Sequence, residues 1–563
     1  MRALTRVGCV SILATFSATA AAATPAHYVV FTVGADGRFR ADFYTQVELA
    51  GTDDGVRSSG NAVAMDADHA ERRVAYHAFR DGVDLGERTV EMPKLRAEFA
   101  HDPEHGDGRI ESFPATQRET SFVLRIPLDA ADAVEFTTTK GAKQHFDFAQ
   151  LAVARNPLPA SANMRINFAA SASNPANRVD MLLLGDGYTN AQQAQFDADA
   201  QVLHDAFFGM TPYKEYASFV NWTTGFVASN QSGADHPPYQ AGCTTSACCA
   251  DAEAQTDILA GQFVDTAFDA TFCTAQIHRL VTVNGSKVFT AAAAYPNWDK
   301  IIVVVNDPIY GGSGGSFSAT TTNASASQIV LHEYGHSFSR LADEYSSPYP
   351  GYPACSDISG SAHCEPNVTD QTSAAQVKWS SWFNPSNPIP TPSGHSGVGL
   401  FQGARYLASG MYRPVDTQCI MQYLGMPFCP VCAQAYVLRL YTGGWGTPAN
   451  GIDLIEPGSE SPATTATVNY SLGKPQVFQA DLLQPTIGSL GVQWYLDGNP
   501  IGGANAPSYS FSTNSLTPPT HTLELRVTDQ STLVKPAMAG NLLVHNRIWT
   551  IKVTDQIFKD GFQ

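Results

Sequence analysis

Apolar and polar positions change rhythm twice along the chain. Between Ala26 and Phe148, runs such as HYVVFTV, RRVAYHAF, TSFVLRIPL and AVEFTTT alternate or are rich in β-branched residues, with Asp/Gly turns between them. That pattern predicts antiparallel strands, and an N-terminal β-sandwich is expected over 24–160. The stretch ARNPLPASANMRINFAASASNPANR has little apolar period and suits a linker. From Arg178 the pattern changes: VDMLLLGDGY reads as a buried strand, and Phe196, Ala200, Leu203 and Phe207 then recur at helical spacing. HRLVTVNG and IIVVVNDP read as further buried strands, so 175–445 predicts an α/β domain. After Gly444 a loose stretch, GTPANGIDLIEPGSESPATT, precedes short strands with frequent turn signals. These predict an immunoglobulin-like β-sandwich over 462–555 with Trp494 as its inward aromatic.

Length agrees with a multidomain chain, since 563 residues at roughly 150 per domain give three or four units. The first 26 residues place Arg2 and Arg6 ahead of the apolar run Val7–Phe16, then small residues with A-x-A cleavage near Ala23. This reads as a signal peptide over 1–23, and a secreted, periplasmic or cell-surface protein is expected. No other apolar run reaches the roughly 18 to 20 residues of a membrane span. A net charge of −18 repels a phosphate backbone, which excludes nucleic acid as a natural partner. Cys9 lies in the removable segment. Nine cysteines remain, Cys243, Cys248, Cys249, Cys273, Cys355, Cys364, Cys419, Cys429 and Cys432, and export favours disulfides among them. An odd count leaves one thiol free, metal-bound or paired between molecules. Cys429-Pro-Val-Cys432 also reads as a disulfide, because no second C-x-x-C completes a four-thiolate site.

The chemistry concentrates in SASQIVLHEYGHSFSRLADEY. Ser325 and Gln328 form a capping-box start. On the helix that follows, His332 and His336 lie one turn apart on the same face and suit a shared Zn2+. Glu333 sits about 100° around the helix, off the metal but within reach of its water, whose pKa zinc lowers toward about 7. A catalytic zinc needs a third ligand and an open corner. Asp343 is the first candidate, with Glu344, Glu365 and His363 behind it. A straight helix would put Asp343 about 10 Å along the axis, so the helix must turn or stop near Ser339. In GMYRPVDTQCIMQYLGMPFCPVC, Met421 resembles the methionine floor of the metzincin Met-turn, and Tyr423 is the candidate oxyanion donor. Arg413 reads as a carboxylate holder or a surface ion pair, Asp186 as a turn former, and the glycine-rich Tyr310–Ser316 as a rim strand.

L-H-E-Y-G-H-S-F-S-R-L-A-D-E-Y, the earlier L-L-L-G-D-G-Y-T, and G-M-Y-R-P ahead of C-I-M resemble the IgA-peptidase family of secreted bacterial zinc endopeptidases, over most of residues 178–440. The resemblance implies a metzincin-like α/β catalytic domain and one zinc at His332, His336 and Asp343, with Glu333 as general base. It also implies protein or peptide substrates, with glycoproteins and immunoglobulins among the classes included. Two small residues, commonly glycines, are expected where Ser339 and Arg340 stand. The competing expectations are a noncatalytic adhesion or glycan-binding β-sandwich protein and a zinc hydrolase acting on a non-peptide bond.

Overall fold

A computed structural model describes residues 23–50, 73–92, 95, 97–100, 110–112, 119–153, 165–168, 174–349, 352–360, 362–443, 451–513 and 520–554. The expected signal peptide lies outside them except for Ala23, as does most of the expected linker.

The first strands are β1 (Thr24–Gly34), β2 (Phe39–Leu49), β3 (Arg73–Arg80) and β4 (Val83–Glu91). The hairpin β5 (Glu98–Ala100) and β6 (Ile110–Ser112) follows, then β7 (Glu119–Pro127), β8 (Ala133–Thr137), β9 (Lys143–Asp147) and the short helix α1 (Phe148–Val153). They form two main antiparallel sheets, β2-β1-β7 and β4-β3-β8-β9. Successive side chains of a strand point to opposite faces, and β1 is buried on both. Val29 and Phe31 share a core with Tyr76, Phe122 and Phe136, while Tyr28 and Val30 join the core of the following region. Tyr28 donates its hydroxyl to Phe289 O at 2.7 Å, and the Arg125 guanidinium lies 3.9 Å over the Trp298 ring. The first region is thereby fastened to the second.

The second region is built on a six-stranded sheet of order β10-β12-β11-β13-β15-β14. Its strands are β10 (Arg165–Phe168), β11 (Val179–Asp186), β12 (Val220–Phe226), β13 (Lys300–Val305), β14 (Gly312–Ser313) and β15 (Ser318–Thr321). The central four run parallel and the two edges antiparallel. Every residue of β11 is buried, as a strand covered on both faces requires. Helices α2 (Gln193–Gly209) and α4 (Ala326–Ser337) share a core with Met181, Leu183, Ile302 and Val304 on one face. Helix α3 (Gly285–Ala292) packs with Leu182, Leu184, Ile301 and Val303 on the other. Phe196, Ala200, Leu203 and Phe207 of α2 are its buried residues, as the spacing predicts. HRLVTVNG differs from expectation. Leu280 and Thr282 make single bridges, not a strand, and Leu280 and Val281 fill the core from a loop. A short apolar run does not distinguish these outcomes by periodicity. The hairpin β16 (Phe401–Ala404) and β17 (Leu407–Arg413) and helix α5 (Pro430–Thr442) complete this region.

The last region contains β18 (Val468–Tyr470), β19 (Gln476–Gln479), β20 (Leu490–Leu496), β21 (Asn499–Pro500), β22 (Ser508–Phe511), β23 (Thr520–Asp529) and β24 (Val544–Val553). A five-stranded sheet β18-β24-β23-β20-β21 accompanies the pair β19-β22. Trp494 is fully buried and stacks on Trp549 at 5.4 Å. The stretch before it is tighter than its composition suggests. Ile452, Leu454 and Ile455 are buried in a core continuous with the central region, Arg178 pairs with Glu456, and Tyr216 donates to Asp529 at 2.6 Å. The chain is thus a multidomain α/β protein with extensive β structure. Among the described residues no helix is long and apolar enough to cross a membrane. Disulfides join Cys243–Cys248, Cys249–Cys273 and Cys355–Cys364.

Candidate metal centre

Helix α4 is unusual in burying its polar residues together with its apolar ones: Ile329 to His336 are all buried, His332, Glu333 and His336 included. Burying three ionisable groups in a core is costly unless they are paired or hold a cation. The helix begins at Ala326 as expected, but Ser325 makes no side-chain cap. Gln328 instead accepts the Gly425 N–H at 3.2 Å, and Asn323 accepts the Ser325 N–H. At the other end the helix stops at Ser337. Arg340 takes a left-handed φ of 56°, a conformation that glycine adopts without strain. Its N–H bonds to His336 O and the Leu341 N–H returns to Gly335 O. The turn anticipated near Ser339 therefore forms without the expected glycines. Lys300 Nζ and Arg439 Nε donate to the carbonyls of Ser337 and Phe338, placing cations at the negative end of the helix.

The turn brings Asp343 back to the two imidazoles. His332 Nε2 and His336 Nε2 are 3.0 Å apart, and Asp343 Oδ1 lies 3.3 and 3.2 Å from them. Four-coordinate zinc with bonds of 2.0–2.1 Å has ligand–ligand edges of about 3.3–3.4 Å. The triangle is close to one face of that tetrahedron.

Its protons point the same way. His332 Nδ1 lies 3.0 Å from Ile420 O and His336 Nδ1 2.6 Å from Leu341 O. A carbonyl only accepts, so each Nδ1 carries a proton, and the neutral ring then presents its lone pair at Nε2. With both rings neutral, two lone pairs and a carboxylate oxygen converge, an arrangement that a cation would relieve. The donor set of two imidazoles and one carboxylate suits zinc. Tyr406 donates to Asp343 Oδ2 and Arg405 N–H to Asp343 O at 2.9 Å, which fixes the carboxylate.

The remaining expectations sort clearly. Met421 is fully buried, and a Cβ added at Gly335 would fall 2.9 Å from its sulfur. The methionine lies directly under the helix between the two histidines. A Cβ added at Gly314 would collide with the Glu333 carboxylate. The glycine-rich stretch thus runs beside Glu333 and contributes the edge strand β14. Tyr423 is half-buried and lies near Arg413.

Glu365 is engaged by Arg405 through two bonds of 2.8 and 3.0 Å, and His363 is exposed beside Asp357. Glu344 turns to Cys432. None of these three joins the triangle. Arg413 donates to Asp416 and to the carbonyls of Gln402 and Gly403. Asp186 does more than shape a turn. Buried at the end of β11, it accepts from the N–H groups of Phe268 and Ala270 and from Thr266, and burial raises its pKa. Tyr406 and Ile420 escape sequence reasoning, because their roles arise from contacts between distant segments.

No curated protein matches the chain. Among solved structures, a quinonprotein alcohol dehydrogenase-like protein from Bacteroides thetaiotaomicron VPI-5482 is 13% identical over 18% of this chain and 20% of that one, with a TM-score of 0.13. The likeness is too slight to carry fold or function, and the chain spans only a fifth of that protein. The sequence pattern of the IgA Peptidase M64 family matches residues 166–397, which include His332, Glu333, His336 and Asp343 and end before Met421. The central region is thus similar to the IgA Peptidase M64 family, a family of peptidases.

Proposed function

We propose that the protein is an exported zinc-dependent endopeptidase that hydrolyses peptide bonds of protein substrates, its metal held by His332, His336 and Asp343. The observation that carries this reading is the convergence of two Nε2 lone pairs and one carboxylate oxygen, with Glu333 next in sequence to one ligand and buried beside Gly314. When bound, zinc supplies a Lewis acid that polarises the scissile carbonyl and acidifies water. Glu333 takes the proton of the attacking water and returns it to the leaving amine. Ile420 and Leu341 keep the imidazole protons on Nδ1, and Tyr406 steadies Asp343. Tyr423 is assigned the developing oxyanion. The flanking regions are read as an N-terminal β-sandwich and an immunoglobulin-like β-sandwich that position substrate or anchor the enzyme. Export is supported by the three disulfides.

Glu333→Gln tests the assignment. Zinc content stays that of the wild type while casein or gelatin cleavage falls by about 10²–10⁴-fold. Unchanged proteolysis removes Glu333 from the mechanism. A wild type that holds zinc but cleaves no member of a peptide library favours a hydrolase of another bond, and one without any hydrolytic activity favours an adhesion or glycan-binding protein.

A further inference from the structure

The cysteines of the Met-turn and of helix α5 differ from the sequence expectation: Cys419, Cys429 and Cys432 are buried and form no disulfide. Together with Glu344 they bring four ligand atoms within 4.8 Å of one another. Each comes from a segment with a reason to be there. Cys429 is the N-cap of α5, its sulfur accepting the Cys432 N–H at 3.5 Å. With Pro430 opening the helix, Cys432 follows in the first turn. Cys419 Sγ lies 3.7 Å from Cys432 Sγ, and Glu344 Oε1 lies 3.1 Å from that same sulfur. Glu344 is held by its own N–H on Met421 O at 2.8 Å and by Asn367 on Oε1 at 2.9 Å. Its other oxygen, Oε2, is buried without a hydrogen-bond partner.

Three bland readings fit poorly. A disulfide uses two of the three thiols and leaves the third beside a buried carboxylate oxygen that still lacks a partner, a costly arrangement. A redox-active C-x-x-C must meet its partner thiol, and all three sulfurs are buried. Apolar packing of thiols does not call for a carboxylate in their midst. A metal meets all three difficulties. Zn–S bonds near 2.3 Å set sulfur–sulfur edges of about 3.8 Å, close to the observed Cys419–Cys432 separation.

We propose that Cys419, Cys429, Cys432 and Glu344 form a second, structural site for a thiophilic divalent cation of the zinc class. On binding, the three thiols release their protons to solvent and the carboxylate supplies the fourth bond, so four protein donors close the site and leave no corner for water. The charge of Arg413 acts on Glu344 and offsets part of the excess negative charge. The position explains the purpose. Glu344 follows Asp343 directly, and Cys419 precedes Ile420, whose carbonyl orients His332. The second cation ties together the loop that delivers Asp343, the Met-turn and α5. The inference does not depend on the hydrolytic reading.

The test is metal analysis of the full-length protein dialysed against zinc-containing and then metal-free buffer. The wild type retains about two zinc ions per chain, and His336→Ala and Cys432→Ser about one each. Cobalt-substituted His336→Ala still shows thiolate-to-cobalt charge-transfer absorption, a readout that the histidine centre cannot produce. Should Cys432→Ser not fold, wild-type stoichiometry and the cobalt spectrum decide alone. A single zinc per chain that His336→Ala abolishes overturns the proposal, as does a disulfide between any two of the three cysteines in non-reducing peptide maps. A thiolate-bound metal in a protein without proteolytic activity leaves this site standing and removes only the proposed reaction.

Discussion

Two buried groups in the central region are made of the same residue types and do opposite things. In the first, His332 and His336 give Nδ1 to backbone carbonyls, so their Nε2 lone pairs meet at Asp343. In the second, His236 places Nδ1 2.7 Å from Asp257 and Nε2 2.9 Å from Asp307, and His278 Nε2 lies 2.9 Å from the same Asp257 oxygen. Burial works against the charge on His236, but Asp307 and Asp257 outweigh it and hold its pKa above the ordinary value. With a carboxylate at each nitrogen the ring keeps both protons and has no lone pair for a metal. The second group is an ion-pair network, stacked under Phe272 at 4.3 Å. Histidine and aspartate content does not separate the two. The acceptor at Nδ1 does: a neutral carbonyl leaves a ligand, whereas a second carboxylate makes a cation.

The contrast is broken most severely at its carboxylates. Asp343→Ala is expected to lose the zinc of the histidine centre, one ion per chain in metal analysis, while Asp307→Asn leaves zinc content unchanged; an undiminished zinc content in the first variant would redirect attention to other donors. Next comes Gly314→Ala, whose added methyl displaces the Glu333 carboxylate. Misplacing a reacting group by about 1 Å costs on the order of 10²-fold, so a fall in kcat of that size is expected with zinc still bound.

His236→Asn should destabilise the fold by about 3–5 kcal/mol, the usual effect of breaking a buried ion pair, measured by denaturant unfolding at constant zinc content. The pH dependence has a definite sign. Because the folded pKa of His236 is raised, its stabilisation is fully present below the ordinary imidazole value and lost as pH rises through the raised value. Asp257 is the mirror case. Burial opposes its charge, His278 and His236 overcome it, and its pKa is lowered. Its stabilisation is present above the ordinary aspartate value and lost as pH falls through the lowered one. The variant should flatten both limbs. The smallest effect is expected of Tyr406→Phe, which removes the bond to Asp343 Oδ2 and weakens zinc affinity by about 10–100-fold in a chelator competition.

How much of this was legible in the sequence follows the range of the contacts involved. The i, i+4 histidines and the helical stripe of α2 are periodic patterns, and the buried strands β11 and β13 are unbroken apolar runs; both kinds of signal are local. Asp343 stands ahead of Glu344, Glu365 and His363 as a candidate because it lies just past the helix, where a turn returns it. The expected capping box failed because Gln328 found Gly425, 97 residues away, and HRLVTVNG spent its apolar residues on the core without pairing as a strand. The segment 451–456 looks loose because its three apolar residues sit between Gly, Asp and Glu in a stretch rich in turn formers and show no period. Cys429-Pro-Val-Cys432 read as a disulfide because its companions, Cys419 and Glu344, lie on other segments. Local regularity announces elements, whereas the wiring of a site depends on where distant segments return.

The hydrogen bond from His332 to Ile420 spans 88 residues, so the orientation of one imidazole is decided far from its own helix. A nascent chain halted before the Met-turn already displays both imidazoles of helix α4, yet lacks the acceptor that fixes the tautomer of the first and the methionine beneath them. Truncation ahead of residue 420 should therefore separate the His332 ring from its acceptor while leaving the histidine motif itself intact.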